Sequence, residues 1–522
     1  MKYIFIVLTI VLTLNLNKAQ SETNSGKHSD ISSIDSEVLE GLDDIYNLQF
    51  DNAESKFKKL QKSNPNDLRG FFYESLIYFY KALPTRDEES YNKYIELTET
   101  VIDKAEKLLE KNENDYDAMY YKGLSHSYVS LLMLSLNKNL LKAASNGNDG
   151  YRILSTLTEK KPDYYDAYMG LGLYKIAIGF VPEKFQWLLS MIGFDGNINE
   201  GINYLKKSLT NGRYTKTDSK VFLSIFSIRE KEDEDRQALD FSKELTESYP
   251  ESSVFKVFYA SLLLQYGKTE DAIAIADLAL KQNKNSFQGE IIKSSNALLG
   301  TAYFRLNDFQ KATEYLEVFM KYVNPEDRYN VYLFTLGVSY ELSGNRQKAL
   351  EKYKMVRDDF VNERDGELDK FFYRFAQEKI KKPLRDFDIK LVTAMNLRES
   401  FKFDEALSVY DQLVETYINV NTVSTKKSVS DDDLIRLYYD IGVTYTYKKS
   451  NEKALEYFNK CIKLNPENER WLVPHSYFEI GKIYSKQKNK KKSEEMFEAI
   501  YNYDDFDFKS FLEMRLANYL NK

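Results

Sequence analysis

The stretch that most limits what this chain can fold into runs from Ile435 to Asn468, IRLYYDIGVTYTYKKSNEKALEYFNKCIKLNPEN. It reads as two amphipathic helical patterns around a short polar turn, 34 residues in all. Tyr438, Ile441, Gly442 and Tyr445 fall on the first helix; Ala454, Phe458 and Cys461 fall on the second, and Pro466 closes the segment. The residue sizes have a mechanical reading. Gly442 and Ala454 are small where two helices cross closely, Tyr445 and Phe458 fill the space around the crossing, and Pro466 ends the helix because it lacks an amide donor.

In residue type, order and spacing this stretch resembles one tetratricopeptide repeat. The resemblance implies an all-α fold, a tetratricopeptide-repeat superhelical solenoid of antiparallel helix pairs. Similar units recur along the chain. Gly41, Ala53, Phe57, Leu60 and Pro65 match mostly the second half of a unit, and Ala238, Leu245 and Pro250 close another. Clearer units carry Leu299, Gly300, Tyr303, Ala312 and Leu316, then Leu333, Leu336, Gly337, Tyr340, Ala349 and Tyr353. The last repeat carries Tyr477, Ile480, Gly481, Tyr484 and Phe497, and Phe506 to Leu520 reads as a capping helix that shields the final apolar face.

Four features divide the chain. Residues 20–35 are a polar lead-in, and residues 36–385 form a first repeat array. A charged, aromatic helix from Asp365 to Leu384 ends at Pro383, where a boundary is expected before a second array, 386–522. Within that array, residues 419–433 lack apolar periodicity and read as a loop. Asp431, Asp432 and Asp433 at its end suit the positive N-terminus of the next helix.

Between Tyr164 and Leu209 the pattern is interrupted by an insertion, 180–197, in which Pro182 starts an apolar helix. Phe185, Leu188, Leu189 and Ile192 share one face, with Trp187, Met191 and Phe194 beside them. This element resembles the inclusion-body clearance family of tetratricopeptide proteins, over roughly Tyr116 to Ala349, at the scale of whole repeats. Here Asp195 precedes Gly196, whereas the family has glycine before aspartate. The resemblance implies architecture. The helix has two readings: a plug inside the array, or a membrane or partner insertion acting through Phe185, Trp187, Leu188 and Ile192.

Composition narrows the function. The 522 residues include 73 basic and 80 acidic side chains, well interspersed, for a net charge of −7; no basic stripe stands out, so nucleic acid is excluded as the expected partner. One cysteine, Cys461, permits no intramolecular disulfide, and its place in the repeat implies burial. The opening MKYIFIVLTIVLTLNLNKAQS reads as a signal peptide over 1–19, with an uncleaved anchor as the rival, so an exported protein is expected, periplasmic, outer-membrane-associated or secreted.

No constellation points to catalysis, metal or cofactor. Ser125 and His126 lie mid-helix, where the strained turn of a nucleophile elbow does not form. Asp195, Asn197 and Asn199 start like a calcium loop, but Glu200 and Lys206 stand at its sixth and twelfth positions, so a capping turn is expected. What remains is surface. The family resemblance implies that first helices line a groove for a protein or peptide. That projects onto Arg436, Tyr439, Val443, Thr446 and Tyr447, then His475, Phe478 and Lys482. Earlier units add Phe304, Arg305, Phe334 and Val338. Such an aromatic lining suits an extended peptide or a partner helix, though the same rings also suit packing between repeats.

Overall fold

A computed structural model describes residues 33–179, 196–227, 237–282, 287–323, 329–357, 366–418 and 429–520. These residues form 24 α-helices and no strand. The expected signal peptide, most of the lead-in and almost all of the insertion, 180–195, lie outside them.

Consecutive helices joined by short turns pack as antiparallel pairs, such as Ser33–Tyr46 with Phe50–Ser63, Tyr329–Leu342 with Arg346–Met355, Asp431–Tyr447 with Asn451–Cys461, and Leu472–Lys486 with Lys490–Ile500. One contact recurs inside them. A Cβ placed on Gly41, Gly300, Gly337, Gly442 or Gly481 would lie 2.4 to 2.7 Å from the side chain sixteen residues later: Phe57, Leu316, Tyr353, Phe458 or Phe497. The bulky side chain seats where the first helix has none, so the glycine sets the crossing distance. An Ala or Ser four residues before each bulky side chain (Ala53, Ala312, Ala349, Ala454, Ser493) is also buried.

The turns repeat as closely. Asn307, Gly344, Lys449 and Lys488 all have φ between 58° and 84°, the left-handed region. After each, the next amide donates back five residues: Asp308 to Tyr303 O, Asn345 to Tyr340 O, Ser450 to Tyr445 O and Asn489 to Tyr484 O, at 2.8 to 3.0 Å. This closes the first helix as a Schellman turn, while Asp308, Asn345 and Asn489 cap the second. The same four tyrosines receive a lysine eight residues on: Lys311, Lys348, Lys453 and Lys492 sit 4.8 to 5.1 Å from the ring centres.

The chain divides into two compact units, Met1–Leu263 with Asp271–Ser295, and Leu264–Glu270 with Asn296–Lys522. The segment around Pro383, where a boundary is expected, lies within the second of these units. Leu384 donates its amide to Glu341 at 2.8 Å, and the Arg385 side chain bridges Asp388 and Asp433, so the Pro383 segment is tied on both sides.

In the first unit, the Ser33–Tyr46 helix takes in the end of the expected lead-in, and its Asp35 is buried and pairs with Arg69 and Arg213. Asp166 accepts the backbone amides of Arg213, Tyr214 and Thr215 at 2.8 to 3.0 Å. Asp218 accepts hydroxyls from Tyr80 at 2.6 Å, Tyr46 at 3.3 Å and Tyr128 at 3.4 Å. Burial pushes its carboxyl up to about 6, against those three donors.

In the second unit, residues 419–428 of the expected 419–433 loop lie outside the described residues. Ser430 caps the Asp431–Tyr447 helix with Asp433 completing a capping box, so the three aspartates belong to its first turn. The Lys509–Leu520 helix closes the array by packing Leu512 and Leu516 against Phe478, Phe497 and Ile500.

Candidate functional site

The expected groove residues lie in the second unit, on the first helix of successive pairs. Arg436 is half-buried and held by charge. It pairs with Asp388 at 3.4 Å, and Asp388 also meets Arg385 at 2.9 Å and Lys379 at 3.8 Å. Burial raises the Asp388 carboxyl, but the Arg385 hydrogen bonds and the charges of Lys379 and Arg436 outweigh it and hold the group at about 2. Lys482 pairs with Glu479 at 3.3 Å, and Arg515 reaches the same carboxylate at 3.0 Å.

The aromatic residues Tyr439, Tyr447, Phe304 and Phe334 fall into four settings. Tyr439, half-buried, lies 5.6 Å from Phe458 and 6.4 Å from Trp471. Tyr447 stacks on Phe403 at 5.7 Å with the rings 9° apart, and Phe401 stands 5.8 Å away. Phe304 packs against Phe309 at 5.5 Å. Phe334 meets Tyr353, Phe372 and Phe375 at 5.4 to 6.1 Å.

Two of the expected groove residues are buried. Phe478 is 0% exposed, wedged against Phe497, Tyr519 and the Arg515 guanidinium. His475 is 3% exposed beside Trp471; burial and the neighbouring Arg515 charge push its imidazole down to about 3, leaving it neutral. Both face inward because the Lys509–Leu520 helix covers that end of the Leu472–Lys486 helix.

The structure also brings in residues the repeat pattern did not nominate. The Gly366–Lys381 helix packs on both the Tyr329–Leu342 and the Arg346–Met355 helices. It joins the core of the Tyr329–Leu342 pair through buried Ala376, with Tyr373 and Ile380 beside it. Other residues before Ala376 reach further. Phe375 lies under the Arg436 guanidinium at 5.8 Å, and Phe371 meets Trp471 at 6.0 Å and Phe508 at 5.1 Å. Arg374 donates to the Asn468 carbonyl and pairs with Asp507 at 2.9 Å; Ser510 donates to Glu367 at 2.9 Å. The signal available in sequence was the aromatic run FFYRF, 371–375, in a helix that belongs to no repeat.

Elsewhere, Ser125 is buried mid-helix and His126 bonds Asn146 at 2.8 Å. Asn197 caps the Ile198–Asn211 helix by accepting the Glu200 amide at 3.0 Å, as the capping reading expects. Phe185, Trp187, Leu188 and Ile192 lie outside the described residues. Among the described residues, no group of His, Cys, Asp or Glu is placed to hold a metal ion, and no helix is long and apolar enough to cross a membrane.

Comparison with known proteins agrees with the helix pairs. Residues 435–468 and 474–506 match models of the tetratricopeptide repeat. Residues 166–340 match the model of Iml2/Tetratricopeptide repeat protein 39, within the span of the inclusion-body clearance resemblance. No curated protein matches the sequence significantly. Among solved structures, YrrB, a TPR protein with an unusual peptide-binding site, is 20% identical over 45% of this chain and 96% of its own, with a TM-score of 0.20. Human IFIT1, as a dimer with m7Gppp-AAAA, is 14% identical over 96% and 94%, with a TM-score of 0.27. Yeast Tom70 is 10% identical over 87% and 89%, with a TM-score of 0.30. At such scores the fold is read from this chain's own glycine–aromatic pairs. Those pairs, with the matches at 435–468 and 474–506, show that this all-α chain carries tetratricopeptide repeats.

Proposed function

We propose that this chain is a non-catalytic scaffold that binds a protein or peptide along the first-helix side of its second unit, outside the cytoplasm. The observation that carries the binding half is that this side already receives a helix from outside its own repeats: Phe375 under Arg436, and Phe371 against Trp471. The surface is preorganised. Asp388 and Glu479 fix Arg436 and Lys482, and Phe403 fixes Tyr447, so a partner meets side chains whose ordering cost is already met. The repeat matches support the same class of function. The export half rests on the apolar run Tyr3 to Leu16 behind Lys2.

The test is affinity capture of the tagged chain from its native envelope after mild crosslinking, in parallel with a Tyr439→Ala/Tyr447→Ala variant of matched melting temperature. The proposal expects a stoichiometric protein whose recovery falls at least tenfold with the variant. Equal recovery by both would remove this surface, and recovery of membrane lipid with no protein would point to residues 180–194 instead.

A further inference from the structure

We infer that the part of the Gly366–Lys381 helix before Ala376 is a latch over the partner surface, and that the partner is a helix carrying the same aromatic–basic pattern. This rests on the scaffold reading and specifies its ligand. The two parts of the helix are held differently. The part from Ala376 onward contributes Ala376, 0% exposed, to a hydrophobic core. The part before Ala376 buries Asp369 but no aromatic ring completely: Phe371, Phe372 and Phe375 are each half-buried. Its contacts toward the last repeat include ring edges on Trp471 and Phe508, a hydrogen bond from Arg374 to the Asn468 carbonyl, an exchangeable ion pair from Arg374 to Asp507, and the Ser510–Glu367 hydrogen bond. Partly solvated pairs of this kind each contribute little, whereas core helices are held by many fully buried contacts. Local opening therefore starts at this end of the helix.

The latch also describes its replacement. Residues 371, 374 and 375 lie on one helical face, so the surface reads aromatic, basic and aromatic at i, i+3 and i+4. The receiving groups are the Trp471 and Phe508 rings, the Asn468 carbonyl and Asp507 carboxylate, and Arg436. A partner helix with that triplet makes the same contacts in trans once the latch lifts.

Two measurements test this without any native partner. Hydrogen–deuterium exchange on the unmodified chain should show amides of 367–375 exchanging at least tenfold faster than those of 472–486 under fully native conditions. Equal rates would make the helix an integral part of the array and overturn the latch. Separately, a fluorescein-labelled peptide of residues 366–381 is titrated against the full chain and against its Phe371→Ala/Arg374→Ala variant. The variant should bind at least tenfold more tightly, and a peptide bearing the same two substitutions should bind neither. Equal binding by both proteins, or none, overturns the proposal; the exchange result stands on its own if the variant melts early. Success here with no captured protein would count against the scaffold reading alone.

Discussion

Gly442 faces the ring of Phe458 so closely that a Cβ on the glycine would stand 2.7 Å from Phe458 Cε1. Phe458 is fully buried, so its ring has little room to retreat. Gly442→Ala should therefore destabilise the chain by about 1–3 kcal/mol through overpacking, although alanine favours a helix. Gly289 is the control. It lies in a helix with nothing within 4 Å of its added Cβ, so Gly289→Ala should be neutral or stabilising by up to about 1 kcal/mol. Denaturant melts of both variants check this. Equal effects would mean that the crossing distance is not set at Gly442.

The glycine–aromatic crossings were legible because steric fit between paired helices leaves a fixed spacing in the sequence, as at Gly442 and Phe458. Arg436 and Lys482 were correctly set on first helices, but their carboxylate partners Asp388 and Glu479 follow from packing between helices, which no local pattern records. Phe478 illustrates the limit. Its repeat position faces the groove by family pattern, yet the terminal helix carrying Leu512 and Leu516 covers it. The Tyr445–Lys453 pair and its three counterparts were equally invisible, because they depend on the turn folding lysine back over the ring. The role of FFYRF was hidden for a different reason. It lies in a non-repeat helix, so repeat periodicity assigns it no face.

A buried ion pair offers a second test. Arg398 and Asp440 are 8% and 7% exposed and tie the Asp386–Glu399 helix to the Asp431–Tyr447 helix through a charge-assisted hydrogen bond. Removing one partner strands the other charge, so Arg398→Met or Asp440→Leu should each cost about 3–5 kcal/mol. The double variant should recover most of that loss, since no charge is then left unpaired. Additive losses in a double-mutant cycle would show that the two side chains act independently.

Asp218 makes stability depend on pH. Burial among Tyr46, Tyr80 and Tyr128 raises its folded pKa to about 6, above the usual carboxylate range near 4. Between these values the folded state holds more protons than the unfolded state, so stability falls as pH rises, by at most about 3 kcal/mol. Asp218→Asn removes this contribution. Whatever constant offset the variant carries, its stability relative to wild type should rise between pH 4 and pH 7 and level off above about 7. A flat difference across that window would show that Asp218 titrates normally.

Cys461, the chain's single cysteine, makes the 435–468 pair directly measurable. It is 0% exposed, its thiol donates to the Ile435 carbonyl at 3.8 Å, and burial pushes its pKa up to about 12. At pH 8 that leaves about one thiolate in ten thousand, and no path for a reagent to reach the sulfur. The native chain should therefore resist a disulfide reagent for hours and release one equivalent of chromophore at once in denaturant. Because reaction requires the Asn451–Cys461 helix to leave the Asp431–Tyr447 helix, the slow native rate reports how often this pair opens. Gly442→Ala, which crowds the same crossing, should speed that rate in proportion to its loss of stability. A rate indifferent to Gly442→Ala would place the opening elsewhere than at the Gly442–Phe458 contact.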